Sequence, residues 1–424
     1  MAEVQPLRAL RYDPDAAGGL QAVVAPPYDV IDDDERAALL ARSERNIVAL
    51  DLPRDPGGGD PYEHAARTLE AWRAEGVLID DEEPALWALE QGYTGPDGRA
   101  RTRHGLLARV KVQPYGAGRI RPHERTHPGP REDRLRLTRA TRTALSPIFS
   151  LYDDPEGAAW GAVAAHTAAT PYAEVADADG TRHRLWRVAD AGAAAAVHDA
   201  LAPAELLIAD GHHRYETARV YSEEIGGEGE HEWVLMCLVA LQDPGLTVFP
   251  THRLLHGLDT GAREALRAAI ERDWDVEPVN ESELEPPAGR DGVSVGYLDA
   301  HHRRPLQLTL RDPETVAAAL PDKPDAYRRL DTAVLEALIL EGALGMSEDD
   351  ISHLRGLAYA RSTAEAIDLV SSGRADAAFF MGPTPVERVR DVAATGETMP
   401  PKSTYFFPKV PTGLVMLPLG GDLR

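Results

Sequence analysis

Hydrophobic and polar positions along the chain alternate between two patterns. Apolar runs of strand length are separated by amphipathic segments with helical periodicity. Such alternation predicts an α/β fold with mixed sheets and flanking helices. Helices are predicted over residues 33–45, 61–76, 190–201, 212–224, 261–272, 313–320, 331–342, 362–372 and 385–393, and strands over residues 46–52, 87–94, 102–112, 182–188, 205–209, 233–241, 292–298, 305–310, 375–381 and 412–417.

One long stretch shows neither pattern. Residues 119–147 carry many charges and little apolar periodicity, so they are predicted to form a polar active-site loop, since long loops in compact proteins are often functional. A chain of 424 residues is also too long for one average domain. We therefore expect an N-terminal α/β lobe over 1–200 that contains this loop, and a C-terminal α/β lobe over 201–424.

Composition argues against several classes of protein. The formal net charge of −24 disfavours a nucleic-acid partner, because proteins that bind phosphate backbones present basic faces. No apolar run approaches the roughly 20 residues of a membrane span, and the first residues lack the features of a signal peptide. A cytoplasmic protein without a membrane partner is expected. The single cysteine, Cys237, rules out disulfides within the chain. Homodimer formation stays open.

The most specific chemical pattern follows an apolar strand at Asp210, Gly211, His212, His213 and Arg214. Gly211 permits a tight turn, and the helix after it offers free N–H groups and the positive end of its dipole to a phosphate. Arg214 adds a planar cationic fork for phosphate oxygens. Asp210 could hold Mg²⁺ or orient a histidine, and one of the two histidines is expected to face the ligand. The alternative is a plain helix cap with exposed histidines.

Two N-terminal features are candidates for a substrate cleft. In residues 25–30, two prolines stiffen a bend that could aim Tyr28 and Asp29, next to Pro27, into a cleft. A structural loop is the alternative. Asn46 is a further candidate ligand, for which a helix-end cap is an equally good explanation.

The polar stretch holds the candidate general base. Glu124, beside His123, could accept a hydroxyl proton during phosphoryl transfer, since a carboxylate near a phosphate site suits that task. His123 and Arg134 are candidate phosphate-binding residues, and Arg125 and Arg131 could add positive charge. A solvated charged loop is the alternative.

Lysine is rare, at four residues against 41 arginines, and two of the four fall within residues 399–409. Lys402 is the expected phosphate partner there, as a compact point charge, with Ser403 and Thr404 as hydrogen-bond donors. The second lysine of this segment is Lys409.

Together these motifs resemble known families. The Gly-His-Arg element resembles the phosphate-binding element of the ParB/sulfiredoxin-like superfamily, which includes DNA-partitioning CTPases, sulfiredoxin and free-serine kinases. Over nearly its whole length the chain is similar to a prokaryotic domain-of-unknown-function family, number 1015. Its marks are APPYDV at 25–30, HERT at 123–126, EDR at 132–134, IADGHHR at 208–214 and MPPKST at 399–404.

This resemblance implies a ParB/sulfiredoxin-like phosphate-binding core elaborated into a two-lobed body. It also implies Mg²⁺ and a nucleotide (ATP or ADP) or pyrophosphate as cofactors. A sulfiredoxin reaction is not expected, because it needs a reactive cysteine where this chain has His212.

Three functions follow from these observations. The first is a phosphotransferase acting on a small hydroxy or amino acid, with serine or phosphoserine suggested by the resemblance. Asp210 would then help to hold the metal, Arg214 and Lys402 the phosphates, and Glu124 would take the proton. The second is a phosphatase or other hydrolase of a small phosphorylated metabolite. The third is a non-catalytic regulator that binds a nucleotide.

Overall fold

The computed structural model describes residues 1–95, 97–116, 118–124, 128–287 and 292–420. Their contacts divide the chain into two compact units. Unit 1 consists of Met1–Pro122, Thr126–Leu246 and Pro408–Arg424, and unit 2 consists of His123–Arg125 and Thr247–Phe407. In the described part of the chain, no helix is long and apolar enough to cross a membrane.

Strands and helices alternate along both units. The strands are β1 Val4–Gln5, β2 Leu10–Tyr12, β3 Leu78–Asp80, β4 Leu86–Thr94, β5 Ala100–Lys111, β6 Ile120–Arg121, β7 Thr143–Ala144, β8 Ile148–Tyr152, β9 Ala173–Ala176, β10 Arg182–Val188, β11 Leu206–Asp210, β12 Trp233–Ala240, β13 Thr247–Phe249, β14 His252–Leu255, β15 Trp274–Pro278, β16 Ser294–Asp299, β17 Leu306–Leu310, β18 Leu357–Ala360, β19 Ala377–Phe380, β20 Tyr405–Phe407 and β21 Leu417–Pro418. The helices are α1 Leu20–Val23, α2 Asp33–Arg42, α3 Val48–Asp51, α4 Pro61–Ala74, α5 Pro128–Thr141, α6 Ala158–Ala164, α7 Ala191–Leu201, α8 His212–Ile225, α9 Thr260–Asp273, α10 Pro313–Ala319, α11 Asp325–Arg328, α12 Asp331–Leu335, α13 Glu348–Ser352, α14 Thr363–Ser371 and α15 Val386–Ala394.

Unit 1 is built on a large mixed sheet. Its strands lie in the order β6-β11-β8-β12-β5-β4-β10-β9, and β1 pairs with β5. β12 lies between the parallel strand β8 and the antiparallel strand β5, and its residues are nearly all buried. Helices α6, α7 and α8 add apolar side chains to the same core as the strands, which explains why β12 reads as a continuous apolar run.

Unit 2 contains an antiparallel sheet in the order β15-β17-β16-β19-β14-β18. Alternate residues of β19 serve two cores: Ala377 and Phe379 pack on one face, Ala378 and Phe380 on the other. The mixed sheets and flanking helices predicted from the sequence are therefore confirmed.

Two predicted elements are corrected. Residues 46–52, predicted as a strand, contain the helix α3, because the Asn46 side chain accepts the N–H of Val48 at 3.0 Å and starts a helical turn. The predicted polar loop 119–147 contains the 14-residue helix α5. Its inward face includes Leu135 and Leu137 but also the buried Arg134, so the apolar periodicity that normally reveals a helix is weak.

The predicted lobe boundary near residue 200 falls inside unit 1, at the end of α7. β11, which follows α7, pairs with β6 and β8 from earlier in the chain. The strand that leads into residues 210–214, the central motif, therefore lies in one sheet with strands from the N-terminal half of the chain.

Candidate functional site

The predicted strand, turn and helix of the central motif are all present. β11 ends at Asp210, and Gly211 follows with φ 95° and ψ 29° as the residue that begins α8. This left-handed conformation favours glycine over residues that carry a Cβ. Gly211 has no side chain, so no side chain at the N-cap position accepts the first N–H groups of α8.

Arg214 folds back over this turn. Its Nη2 donates to Asp210 Oδ2 at 2.6 Å, and its Nη1 donates to the carbonyl oxygen of Pro147. A Cβ placed on Gly211 would lie 2.9 Å from Arg214 Nε. Glycine therefore suits this position for two reasons: its backbone conformation, and the space of the Arg214 guanidinium, which a Cβ would displace.

A second cation reaches the same carboxylate. Lys409 Nζ donates to Asp210 Oδ1, while Arg214 holds Oδ2. Burial by itself would raise the pKa of Asp210, but Lys409 and Arg214 outweigh it and hold this pKa well below the ordinary carboxyl range. Asp210 is therefore ionised, and the three side chains together carry one net positive charge.

A second buried ion pair lies nearby in unit 1. Arg134 Nη1 is 2.9 Å from Asp51 Oδ1, and both side chains are about 95% buried. Burial raises the pKa of Asp51, and the charges of Arg134 and Arg214 oppose that rise. The Arg134 guanidinium also lies over the ring of Tyr28, 4.1 Å from its centre. Burial raises the pKa of Tyr28 to about 12, although both arginines lower it.

Asp51, Arg134 and Arg214 line one small cavity. It has a volume of about 50 Å³, and its lining includes polar side chains. Asp51 Oδ2 and Arg214 Nε are buried and have no hydrogen-bond partner among the described residues. The residues that carry this acceptor and this donor therefore both line a space large enough for a few water-sized groups. The polar lining residues are Asp51, Arg134, Thr138, Thr143, Ser146, Arg214 and Thr217.

The structure thus brings together several residues that the sequence predicted. Asp210, Gly211, Arg214, Arg134 and Tyr28 meet within unit 1.

Other predicted residues of unit 1 lie around this group. Pro27 is buried and precedes the short turn Tyr28–Val30. Asp29 is exposed, and its charge acts on Arg214. His212 is buried at the start of α8, and its charge acts on Asp210. His213 follows it and is half-buried.

Asn46 has a structural role instead of the predicted role in the cleft. It is completely buried, and its Nδ2 donates to the carbonyl oxygens of Ala22 and Val24 at 2.8 and 3.0 Å. With Oδ1 accepting from Val48, each polar atom of the side chain serves the backbone.

Arg131, predicted to add positive charge, is exposed and lies in unit 1, and the remaining predicted residues belong to unit 2. His123 is buried, and its Nε2 lies 2.9 Å from Thr404 Oγ1 and 3.9 Å from the Glu124 carboxylate. Ser403 is buried and donates to the Pro400 carbonyl at 2.7 Å. Lys402 is exposed with φ 56°, in a turn. The phosphate-binding roles of these residues stay predictions, and Arg125 and Thr126 lie outside the described residues.

Sequence reasoning missed two residues of the unit 1 group. In the sequence, Lys409 stands out only as one of four lysines, and Lys402 is the stronger candidate because it lies within a motif. The pattern of residues 46–52 predicts a strand, so it gives no sign of a buried ion pair at Asp51. Neither residue has a neighbour in sequence that reveals its partner.

Comparison with known proteins assigns a family. The sequence profile of a family described as "Protein of unknown function (DUF1015)" matches residues 4–333. The chain belongs to the DUF1015 family. The family predicted from the motifs is thereby confirmed. None of the curated proteins matches this DUF1015 chain. Of its site residues, Lys402, Ser403, Thr404 and Lys409 lie beyond the matched range.

Three solved structures are similar to the DUF1015 chain. A conserved hypothetical protein from Pyrococcus furiosus is 15% identical, with a TM-score of 0.36, over 70% of this chain and 91% of that one. A free serine kinase in complex with AMP is 14% identical, with a TM-score of 0.34, over 70% and 89%. SbnI from Staphylococcus aureus, with a C-terminal truncation, is 13% identical, with a TM-score of 0.37, over 74% and 87%.

The metal role predicted for Asp210 does not fit this arrangement of the DUF1015 site. Both carboxylate oxygens are already bonded to cations, which leaves them poorly suited to a hard divalent ion. Within the described ranges, no three His, Cys, Asp or Glu side chains converge as a metal site. The groups present suit an anion instead.

Proposed function

We propose that this DUF1015 protein is a small-molecule phosphotransferase, in which the start of α8 binds a phosphate group of the donor. The donor would be a nucleotide, ATP or ADP, or pyrophosphate. The observation that carries the proposal is a pair of cations, Arg214 and Lys409, which both bond to the Asp210 carboxylate. This carboxylate lies beside Gly211, the N-cap residue of α8.

Three features of this turn favour a phosphate. The N-terminus of a 14-residue helix presents backbone N–H groups and a positive partial charge. The two cations exceed the single carboxylate by one charge, so an incoming anion is attracted. In phosphoryl transfer the same charges would stabilise the negative charge on the equatorial oxygens of the moving group.

The cavity lined by Arg214 is the proposed binding site for the acceptor, a small hydroxy or amino acid. Asp51 Oδ2 can accept a hydrogen bond and Arg214 Nε can donate one, which are the two functions that a small hydroxy or amino acid needs from its site. The acceptor hydroxyl would lose its proton as its oxygen bonds to phosphorus and the donor oxygen leaves. Glu124 stays the general base predicted from the sequence, and His212 and His213 are the titratable residues at the start of α8 that could take this proton.

The test compares two variants with a matched control. We expect Lys409→Met and Arg214→Met each to weaken pyrophosphate and ADP binding by about tenfold to a hundredfold, because a hydrogen bond between charged groups contributes roughly 1.5–3 kcal/mol. Calorimetric titration measures this. The control is Lys323→Met, which removes a lysine whose Nζ is paired with Glu397 at 2.7 Å in unit 2, and which should leave binding unchanged.

Turnover distinguishes the three functions. The wild-type protein would be incubated with each donor and a set of amino and hydroxy acids, and the phosphorus-containing products followed by NMR. Transfer to an acceptor supports the proposal. Phosphate release without an acceptor indicates a hydrolase, and binding without any turnover indicates a regulator. Pyrophosphate binding that is equal in wild type and both site variants would remove α8 from the mechanism.

A further inference from the structure

A row of buried polar side chains crosses the large sheet of unit 1. In the register of the strands, Gln91 on β4 lies opposite Arg103 on β5 and opposite His183 on β10. All three are at most 1% exposed. Such central sheet positions are normally apolar, because a buried polar group is costly unless it is hydrogen-bonded.

The row is hydrogen-bonded from end to end. Arg103 Nε donates to Gln91 Oε1 at 3.0 Å, and Gln91 Nε2 lies 3.0 Å from His183 Nδ1. His183 Nε2 in turn lies 3.1 Å from Asp177 Oδ2. Since the Gln91 amide donates, His183 Nδ1 accepts, and its other nitrogen donates to Asp177. The orientation of Gln91 is therefore set from both sides.

Arg103 and Gln91 of this row also bond to the backbone that carries Lys409. Arg103 Nη2 donates to the Pro408 carbonyl, and Gln91 Nε2 donates to the Lys409 carbonyl at 3.0 Å. Residues 408–410 belong to neither a helix nor a strand. The carbonyl oxygens of Pro408 and Lys409 are therefore bonded by side chains instead of by a strand partner.

Arg103 is suited to this task by its surroundings. Its guanidinium lies over the ring of Phe149, 4.5 Å from the ring centre. Burial lowers its pKa to about 10, so it keeps its charge at neutral pH. A planar guanidinium can bond two acceptors at fixed angles, here Gln91 Oε1 and the Pro408 carbonyl, which a lysine could not match.

We propose that Arg103 and Gln91 are positioning residues, which fix the backbone of Pro408 and Lys409 so that the Lys409 ammonium stays on Asp210. A lysine side chain has many rotamers, so a fixed backbone is needed to keep its ammonium in one place. The importance of this placement for phosphate binding rests on the proposed function, but the placement itself can be measured without it.

Lysine labelling provides the test, because the chain has only four lysines. The intact protein is treated with a limiting amount of acetic anhydride, and the rate at each lysine is read by peptide mass spectrometry. In the wild type, Lys409 should react more slowly than the exposed Lys402, since an ammonium held on a carboxylate must first be released. In Arg103→Met and in Gln91→Met, the Lys409 rate should rise about tenfold towards that of Lys402, which corresponds to one lost hydrogen bond.

Controls separate positioning from general loosening. The rates at Lys111 and Lys323 should stay at their wild-type values in both variants. Tyr172→Phe, which removes the 2.6 Å hydrogen bond from Tyr172 to the Tyr12 carbonyl elsewhere in unit 1, should leave Lys409 slow. If Arg103→Met does not fold, Gln91→Met decides alone, since it keeps the volume of the side chain.

The outcomes are distinct from those of the proposed function. An unchanged Lys409 rate in folded Arg103→Met and Gln91→Met overturns the positioning role, and so does an equal rise at all four lysines. If Lys409 is released in these variants while wild-type protein binds neither pyrophosphate nor ADP, the positioning role stands and the phosphotransferase proposal fails.

Discussion

Asp210 is the residue whose removal should have the largest electrostatic effect, because two cations depend on it. We expect Asp210→Asn to lower the free energy of unfolding by roughly 3–5 kcal/mol at pH 7, since a buried charge left without its partner costs about that much. Urea unfolding followed by circular dichroism measures the loss.

The pH dependence of this loss has a defined sign. The pKa of Asp210 is depressed in the folded protein, so its stabilising contribution is fully present above the ordinary carboxyl pKa, near 3.8. It is lost as the pH falls through the lower folded value. The difference between wild type and Asp210→Asn should therefore be constant at neutral pH and shrink in acid.

A surface ion pair serves as the control for Asp210. Asp97 pairs with Arg101 at 2.5 Å, and more than a third of its side chain is exposed. Asp97→Asn should cost less than about 1 kcal/mol, because solvent screens exposed pairs. Equal losses in Asp97→Asn and Asp210→Asn would contradict the account of Asp210.

At the scale of the element, two helices that begin with a left-handed glycine can be compared. Gly211 begins α8 with φ 95°, and Gly157 begins α6 with φ 66° and ψ 27°. A Cβ at Gly157 would meet nothing within 4 Å, whereas one at Gly211 would collide with Arg214. Gly157→Ala should cost about 1–2 kcal/mol, the backbone strain alone. Gly211→Ala should cost more.

The two variants should also differ in ligand binding. Gly211→Ala displaces the guanidinium of Arg214, so pyrophosphate binding should weaken, while Gly157→Ala should bind like the wild type. Thermal unfolding and calorimetric titration of both proteins provide the comparison. If both lost the same stability and both kept their affinity, the close approach of Arg214 to Gly211 would have no consequence.

Among the elements, local pattern predicted those whose inward positions are apolar. The strands β4, β5 and β12, and β11 with the helix α8 that follows it, are all predicted by periodicity. Helix α5 is not predicted by its apolar pattern, because one of its buried positions is Arg134, whose partner Asp51 lies 83 residues away. In the sequence alone, a charged residue that will be buried in an ion pair cannot be told apart from one that will be exposed to solvent.

At the scale of the whole molecule, unit 1 depends on a segment from the far end of the chain. Residues 408–420 return to it, and their backbone pairs with Leu10, Ala25 and Arg142. Each of six apolar side chains there is at most 4% exposed, and burying one contributes roughly 1.5–3 kcal/mol. The six are Val410, Leu414, Val415, Met416, Leu417 and Leu419.

Deleting residues 408–424 should therefore prevent unit 1 from folding. The six side chains together contribute on the order of 10 kcal/mol, which is comparable to the whole stability of a typical protein. Circular dichroism and urea unfolding of the truncated chain test this. Full-length Lys409→Met separates the loss of one cation from the loss of packing, and it should remain folded. A truncated chain with the unfolding midpoint of the wild type would refute this dependence.

By itself, the sequence determined the alternating elements, the turn at Gly211 and the chemistry of Arg214, because apolar periodicity and glycine conformation are local properties. Only the tertiary structure decided which cation meets Asp210. Lys409 reaches it across 199 residues of chain, whereas Lys402, which stands within a motif, is exposed in unit 2. Side-chain hydrogen bonds from β4 and β5 hold the segment of Lys409 in place, and no pattern within a single segment reveals a partner so far along the chain.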